Sequence, residues 1–173
     1  MSFDQLADGL RGELVTRDAS NYDEVRAIYN AMIDKKPAAL ARCVDAVDVQ
    51  TCVNYAREND VPLAIRGCGH NAGGLGLVDD GLVIDLSPMR GIRVDARKQT
   101  IRVQGGCRWG DVDHAGHPYG LTVPAGIIST TGCGGLTLGG GLGHLSRKYG
   151  LTIDNLLEAD LVLADGSMAV ASA

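Results

Sequence analysis

The sequence predicts an α+β fold in two subdomains, a small parallel βαβ sheet and then an antiparallel sheet, and three observations carry that prediction. Between Ala39 and Ile65 a strand, a helix and a strand follow one another at βαβ lengths, which implies parallel strands. Beyond Pro88 two pairs of short strands are each joined by a tight polar turn, which implies antiparallel hairpins. Glycine makes up 24 of 173 residues, twice the usual ~7 %. Interleaved with Leu, Ile, Val and Thr, it points to ordered turns and close backbone approaches rather than to a flexible tract. The division near Pro88 gives expected units of 1–88 and 89–173.

The elements follow in order. Val25, Ile28, Tyr29, Met32 and Ile33 recur on one helical face and predict a helix over 22–33. Ser20 or Asn21 would cap it, Asp23 and Glu24 suit its first turn, and Lys35, Lys36 and Pro37 close it. Residues 39–43 form the next strand. A helix over 48–59 buries Val49, Cys52, Val53 and Ala56, and the apolar run 62–65 reads as a buried strand. Residues 82–86 are another strand, broken by Ser87-Pro88. Segments 92–95 and 100–104 alternate with period two around a four-residue polar turn. A short helix is expected over 109–115, then an uncharged, Gly-rich stretch over 123–143. Strands 156–164 and 168–172 flank Asp165-Gly166, a strong hairpin signal. The chain stops at Ala173, in or just after a strand, so a truncated domain is expected.

Composition excludes several classes. The net charge is −5 and the 16 Lys and Arg form no run, so no nucleic-acid face is expected. An anionic cofactor remains open, because a nest of backbone N–H groups binds phosphate without net positive charge. Five cysteines, an odd number without Cys-x-x-Cys, argue against a disulfide framework. The start, Met1-Ser2-Phe3-Asp4-Gln5, has no apolar leader segment, and no run approaches the ~18 apolar residues of a membrane span. A reducing, cytoplasmic setting is expected.

The chemistry centres on Arg66-Gly67-Cys68-Gly69-His70-Asn71, directly after a strand. Gly-x-Gly there leaves backbone N–H groups open to a phosphate. His70 stands at the mouth of that cradle, either as a support or as a reactive group. The run also matches G-x-G-x-x-A, with Asp85 placed where a ribose-binding acid belongs in a Rossmann unit. That reading needs a helix immediately after the motif, and Gly73, Gly74, Gly76 and Gly81 oppose one at ~1 kcal/mol each. His114 and His117 have a metal-like spacing, but Gly116 and Pro118 interrupt the helix and no further ligands are at hand. Gly139-Gly140-Gly141-Leu142-Gly143 lacks the Lys-Ser/Thr of a P-loop, and Ser129 lies outside any G-x-S-x-G elbow. The 123–143 stretch is either a packed set of turns or a backbone wall against a flat ligand.

Four segments together resemble a known family: Arg66–Asn71, Leu82–Ser87, Thr131–Gly141, and Tyr149-Gly150-Leu151 with Asp154-Asn155-Leu156-Leu157. In that order they are similar to the PCMH-type FAD-binding domain of the vanillyl-alcohol-oxidase-like flavoproteins, and within it to the bacterial berberine-bridge-enzyme-like oxidases. The resemblance implies FAD between the two subdomains, bound by Arg66, Gly67, Cys68, Gly69, His70, Asn71, Ser129, Thr131, Gly132, Gly134, Gly135, Gly139, Gly140, Gly141 and Gly143. It implies a covalent bond from His70 to the flavin 8α-methyl group. A second link, made in some relatives by a cysteine, falls at Ile128 here, so a single link is implied. Cys133 matches a small apolar residue of the relatives, and Cys68 stands where glycine is usual. No catalytic residue is identifiable, because relatives place theirs in a substrate-binding region that would follow. The implied function is an FAD-dependent oxidase acting on a small alcohol or amine-type molecule. The alternative is a non-catalytic flavin- or drug-binding module.

Overall fold

The computed structural model describes residues 3–172; residues 1–2, where the reading of the chain start falls, and 173, where the strand end falls, lie outside them. The first half comprises α1 (Asp4–Gly9), β1 (Glu13–Thr16), α2 (Tyr22–Arg26), β2 (Ala39–Arg42), α3 (Ala46–Glu58), β3 (Leu63–Arg66) and β4 (Leu82–Asp85). Its sheet has the order β1-β2-β4-β3. β2 and β3 both run parallel to β4, as the βαβ reading requires, and β1 adds an antiparallel edge.

The central strands are apolar up to their last residues, Arg42 and Asp85, because both faces of the sheet are covered. Ala39, Ala41, Leu82 and Ile84 pack with Cys52, Val53 and Ala56 of α3 on one side. Leu40 and Val83 alternate to the other side and meet Val15, Tyr22, Ala64 and Leu77. α3 starts where the Asp45 carboxylate accepts the N–H groups of Val47 and Asp48, each at 3.0 Å. Asp48 is itself buried, and its carboxylate takes N–H groups from Arg11, Gly12 and Val44 at 2.8, 3.1 and 2.9 Å.

The second half comprises β5 (Ile92–Asp95), β6 (Thr100–Val103), α4 (Trp109–Gly116), α5 (Cys133–Leu138), α6 (Ser146–Tyr149), β7 (Glu158–Val162) and β8 (Met168–Ser172). The two hairpins pair in antiparallel register but form separate two-stranded sheets. Gly166, at φ +83°, makes the turn between β7 and β8. Cys107, Trp109, Val112 and Cys133 form a third core, packed against Ile92, Ile101, Val103 and Leu136. Among the described residues no helix is long and apolar enough to cross a membrane.

Three sequence expectations are corrected. The helix over 22–33 ends at Arg26, because Ala27 turns to extended backbone at φ −60° and ψ 141°. The next residues then bond to a distant loop: the Tyr29 N–H donates to Gly69 O at 3.2 Å and Asn30 Nδ2 to Ala72 O at 3.0 Å. Ile28 and Ile33 still reach the core, whereas Met32 is fully exposed. The strand at 62–65 is not buried on both faces: Leu63 and Ile65 are exposed and Ala64 and Arg66 face inward, because β3 is an edge strand. Within the Gly-rich stretch, residues 133–138 form α5 despite two glycines. α1, β1 and α6 had no counterpart in the sequence reading.

Candidate functional site

The site begins where β3 delivers its last residue. Arg66 points inward and pairs with Asp85 at the equivalent position of β4, Nη2 to Oδ2 at 2.8 Å and Nε to Oδ1 at 3.3 Å. Asp85 also accepts from Ser87 N–H at 3.1 Å and Ser87 Oγ at 2.9 Å. This two-pronged pair fixes the point at which the chain leaves the sheet. It also occupies Asp85, which therefore does not serve as the ribose-binding acid of the Rossmann alternative.

Beyond Arg66 the loop turns sharply. Gly69 has φ +71°, a conformation that L side chains rarely adopt, and its carbonyl takes the Tyr29 N–H. His70 is half-buried and its ring stacks on Tyr29, centroids 4.3 Å apart and planes 18° apart. Asn71 Oδ1 accepts the Leu75 N–H at 3.0 Å, so its side chain closes the loop on itself. Residues 27–38 lie across the loop as a strap, and Lys35 Nζ donates to Gly74 O and Leu77 O, both at 3.0 Å. Cys68 points away from the loop mouth, its Sγ 3.4 Å from Gly106 O and 3.7 Å from Cys107 O. Its φ is not positive, so a non-Gly residue is unstrained here. Burial raises the Cys68 thiol pKa, against a weaker opposing pull from Arg108.

A second loop meets the first. Residues 129–133 run alongside 107–110: Gly110 N–H donates to Ser129 O at 2.9 Å, Trp109 N–H to Thr131 O at 3.0 Å and Cys133 N–H to Cys107 O at 2.9 Å. That run carries Gly132 so close to Cys68 that an added Cβ would lie 3.0 Å from both Cβ and Sγ of the cysteine. α5 begins immediately afterwards, with Gly134 and Gly135 in its first turn. Added Cβ atoms at Gly67 and Gly134 would approach the same carbonyl, Gly105 O, at 3.3 and 3.6 Å. The two glycine loops therefore converge on Gly105. Cys133 is directed into the third core, where burial pushes its thiol pKa up to about 12.

Not every glycine needs a ligand to explain it. Added Cβ atoms at Gly141 and Gly143 would overlap Thr152 and the Ala125 backbone, and Gly139 ends α5. Gly140 O and Gly141 O accept Ile153 and Thr152 N–H groups at 3.0 and 2.9 Å. These positions belong to the packing of the turns. Gly135 is different: a Cβ there would meet nothing within 4 Å, and its φ is not positive. A helical glycine costs about 1 kcal/mol relative to alanine, and the chain's own packing gives no return for it. The space before Gly135 fits a group that must approach bare backbone.

Sequence reasoning missed Tyr29, Gly105 and the Arg66–Asp85 pair. Tyr29 was placed on the core face of a helix that does not extend that far. His114 lies in the last turn of α4 and His117 opens the next turn. Among the described residues, no three or more His, Cys, Asp or Glu are grouped to hold a metal.

Two loops of bare backbone meeting at the end of a parallel strand, on an α+β scaffold, define a domain that holds a nucleotide cofactor. The chain belongs to the FAD binding domain family, which matches residues 37–172. It is 41 % identical over 156 residues to an uncharacterized FAD-linked oxidoreductase of Bacillus subtilis, covering 90 % of this chain and 35 % of that protein. It is 36 % identical over 159 residues to (R)-6-hydroxynicotine oxidase of Paenarthrobacter nicotinovorans, covering 92 % and 35 %. The crystal structure of 6-hydroxy-D-nicotine oxidase from Arthrobacter nicotinovorans superposes with a TM-score of 0.92 at 36 % identity, over 94 % of this chain and 36 % of that one. BBE-like 1 of Physcomitrella patens gives 0.92 at 32 % identity, over 99 % and 38 %. The α+β, PCMH-type fold and its family of FAD-linked oxidoreductases are thus shown, and the chain spans about a third of the length of the relatives it matches.

Proposed function

We propose that this chain is the FAD-holding part of an oxidase, divided near residue 88 into two subdomains and linked to its flavin through His70. The observation that carries the reading is the convergence of the 67–70 and 132–135 loops on Gly105, with glycines at 134 and 135 that internal packing does not require. FAD, when bound, would supply the redox chemistry: it takes hydride at N5 from an alcohol or amine-type carbon and returns the electrons to O2.

The chain's residues have separate tasks. Backbone N–H groups of Gly67–Gly69 would hold the pyrophosphate, and the bare turn at Gly134–Gly135 would admit the cofactor to close range. The Cys68 side chain holds the two loops together, leaving only its backbone N–H for the ligand. His70 supplies an imidazole nitrogen, a side-chain nucleophile, to the flavin 8α carbon. The substrate is bound by parts of the complete protein beyond these residues, and the hydroxynicotine oxidase named above supports an amine-type donor.

Intact mass after denaturation tests the link. The protein should gain the mass of one FAD less two hydrogens, and His70→Ala should abolish the gain. Release of all flavin on denaturation would overturn the covalent assignment. Bound flavin that no electron donor reduces would instead support the binding-module alternative.

A further inference from the structure

The aromatic pair at the edge of the site has a geometry that its packing does not explain. Tyr29 lies three residues beyond the end of α2 and is 70 % exposed, so core burial does not hold its ring in place. Yet it stacks on His70 at 4.3 Å, nearly parallel. Its backbone is tied to the residue before His70, through Tyr29 N–H to Gly69 O, and the next side chain reaches Ala72 O. The strap thus anchors on both sides of His70 and lays one ring flat against the imidazole.

Flat stacking has a specific consequence. Rotation of an imidazole about its last bond is broad and shallow when nothing restrains it. A ring against one face blocks tilting but leaves the ring edge open, and the edge is where the unprotonated nitrogen presents its lone pair and the other its N–H. The stack therefore orients the nucleophile without occupying it, which a hydrogen bond to a nitrogen cannot do on that same atom.

We propose that Tyr29 is a positioning residue for flavin attachment: its ring sets the plane of the His70 imidazole toward the 8α carbon. The inference rests on the covalent reading above. In that step one N–C bond forms, one hydrogen leaves the imidazole and one the methyl group, and O2 takes up both with their electrons as hydrogen peroxide.

The test incubates apoprotein with FAD in air and follows covalent attachment by denatured intact mass. Reversible FAD affinity is measured by fluorescence for the same Tyr29 variants in a His70→Ala background. Tyr29→Ala should slow attachment by roughly tenfold or more, since small misorientations of a nucleophile are costly. Tyr29→Phe, which keeps the ring, should restore the rate to within about twofold, and reversible affinity should change by less than about twofold. Attachment at the wild-type rate in Tyr29→Ala would overturn the inference. So would a Tyr29→Phe variant as slow as Tyr29→Ala, or a parallel loss of reversible affinity, which would mark a merely structural role for the strap. If the wild-type protein forms no covalent adduct and behaves like His70→Ala, the covalent reading itself fails and the inference goes with it.

Discussion

Arg66 and Asp85 face each other across two parallel strands, 7 % and 1 % exposed. Burying both charges is costly, and the pair is tolerable because Asp85 takes four hydrogen bonds, two from Arg66 and two from Ser87. Removing one partner leaves the other charge stranded in the sheet. Asp85→Ala should therefore destabilise the fold by about 3–5 kcal/mol in urea unfolding. Replacing both with apolar residues, Arg66→Met with Asp85→Leu, should cost clearly less than the single change. A loss below about 1 kcal/mol for Asp85→Ala would mean that the pair is solvated after all. This pair also shows why a motif in sequence misleads. Asp85 sits at the spacing of a ribose-binding acid, but spacing does not reveal that a buried arginine already claims it.

Among the elements, α5 is where the site sets the terms of the structure. Gly135→Ala should stabilise the chain by roughly 0.4–1 kcal/mol, because the helical backbone accepts alanine and the new Cβ meets open space. The same methyl group should weaken reversible FAD binding, measured in a His70→Ala background, by roughly tenfold, or about 1.4 kcal/mol. Stabilisation without loss of affinity would show that the space before Gly135 is not used. The glycines that hid α5 from sequence reasoning are thus the ones that internal packing leaves unexplained. Elsewhere legibility followed local physics. β5 and β6 announced themselves by strict alternation, β7 and β8 by Asp165-Gly166, and α3 by the apolar stripe of Val49, Cys52, Val53 and Ala56. The helix over 22–33 failed because Tyr29 and Asn30 bond to Gly69 and Ala72, some 40 residues away, and no local pattern encodes that. Gly67, Gly69 and His70 stand out locally as a candidate loop, because Gly-x-Gly follows directly on a strand. Tyr29 does not, since its role exists only once the strap folds back.

At the scale of the whole molecule, the question is what holds the first sheet and the third core in one register around the cofactor. Gln50 Nε2 of α3 donates to Gly166 O at 2.6 Å, pinning the tip of the β7–β8 hairpin to the first half. Gly106 N–H donates to Met89 O at 3.0 Å, and Arg102 pairs with Asp160 between the hairpins. The contact nearest the site is Cys68 against Gly132, where a side chain of one loop fills the room left by the missing side chain of the other. A Cβ at Gly132 would stand 3.0 Å from Cys68 Cβ and Sγ and 3.1 Å from its N, closer than real Cβ atoms normally come. Gly132→Ala should cost about 1–3 kcal/mol by overpacking and lower FAD affinity with it. Cys68→Gly alone should cost about 0.5–1 kcal/mol through backbone freedom. It also removes two of the three atoms that the alanine would strike, so the double variant should be more stable than the sum of the singles by roughly 1 kcal/mol. A double-mutant cycle in urea measures this coupling directly. Strict additivity would mean that the two loops do not touch, and the convergence on Gly105 that carries the proposed function would lose its nearest support.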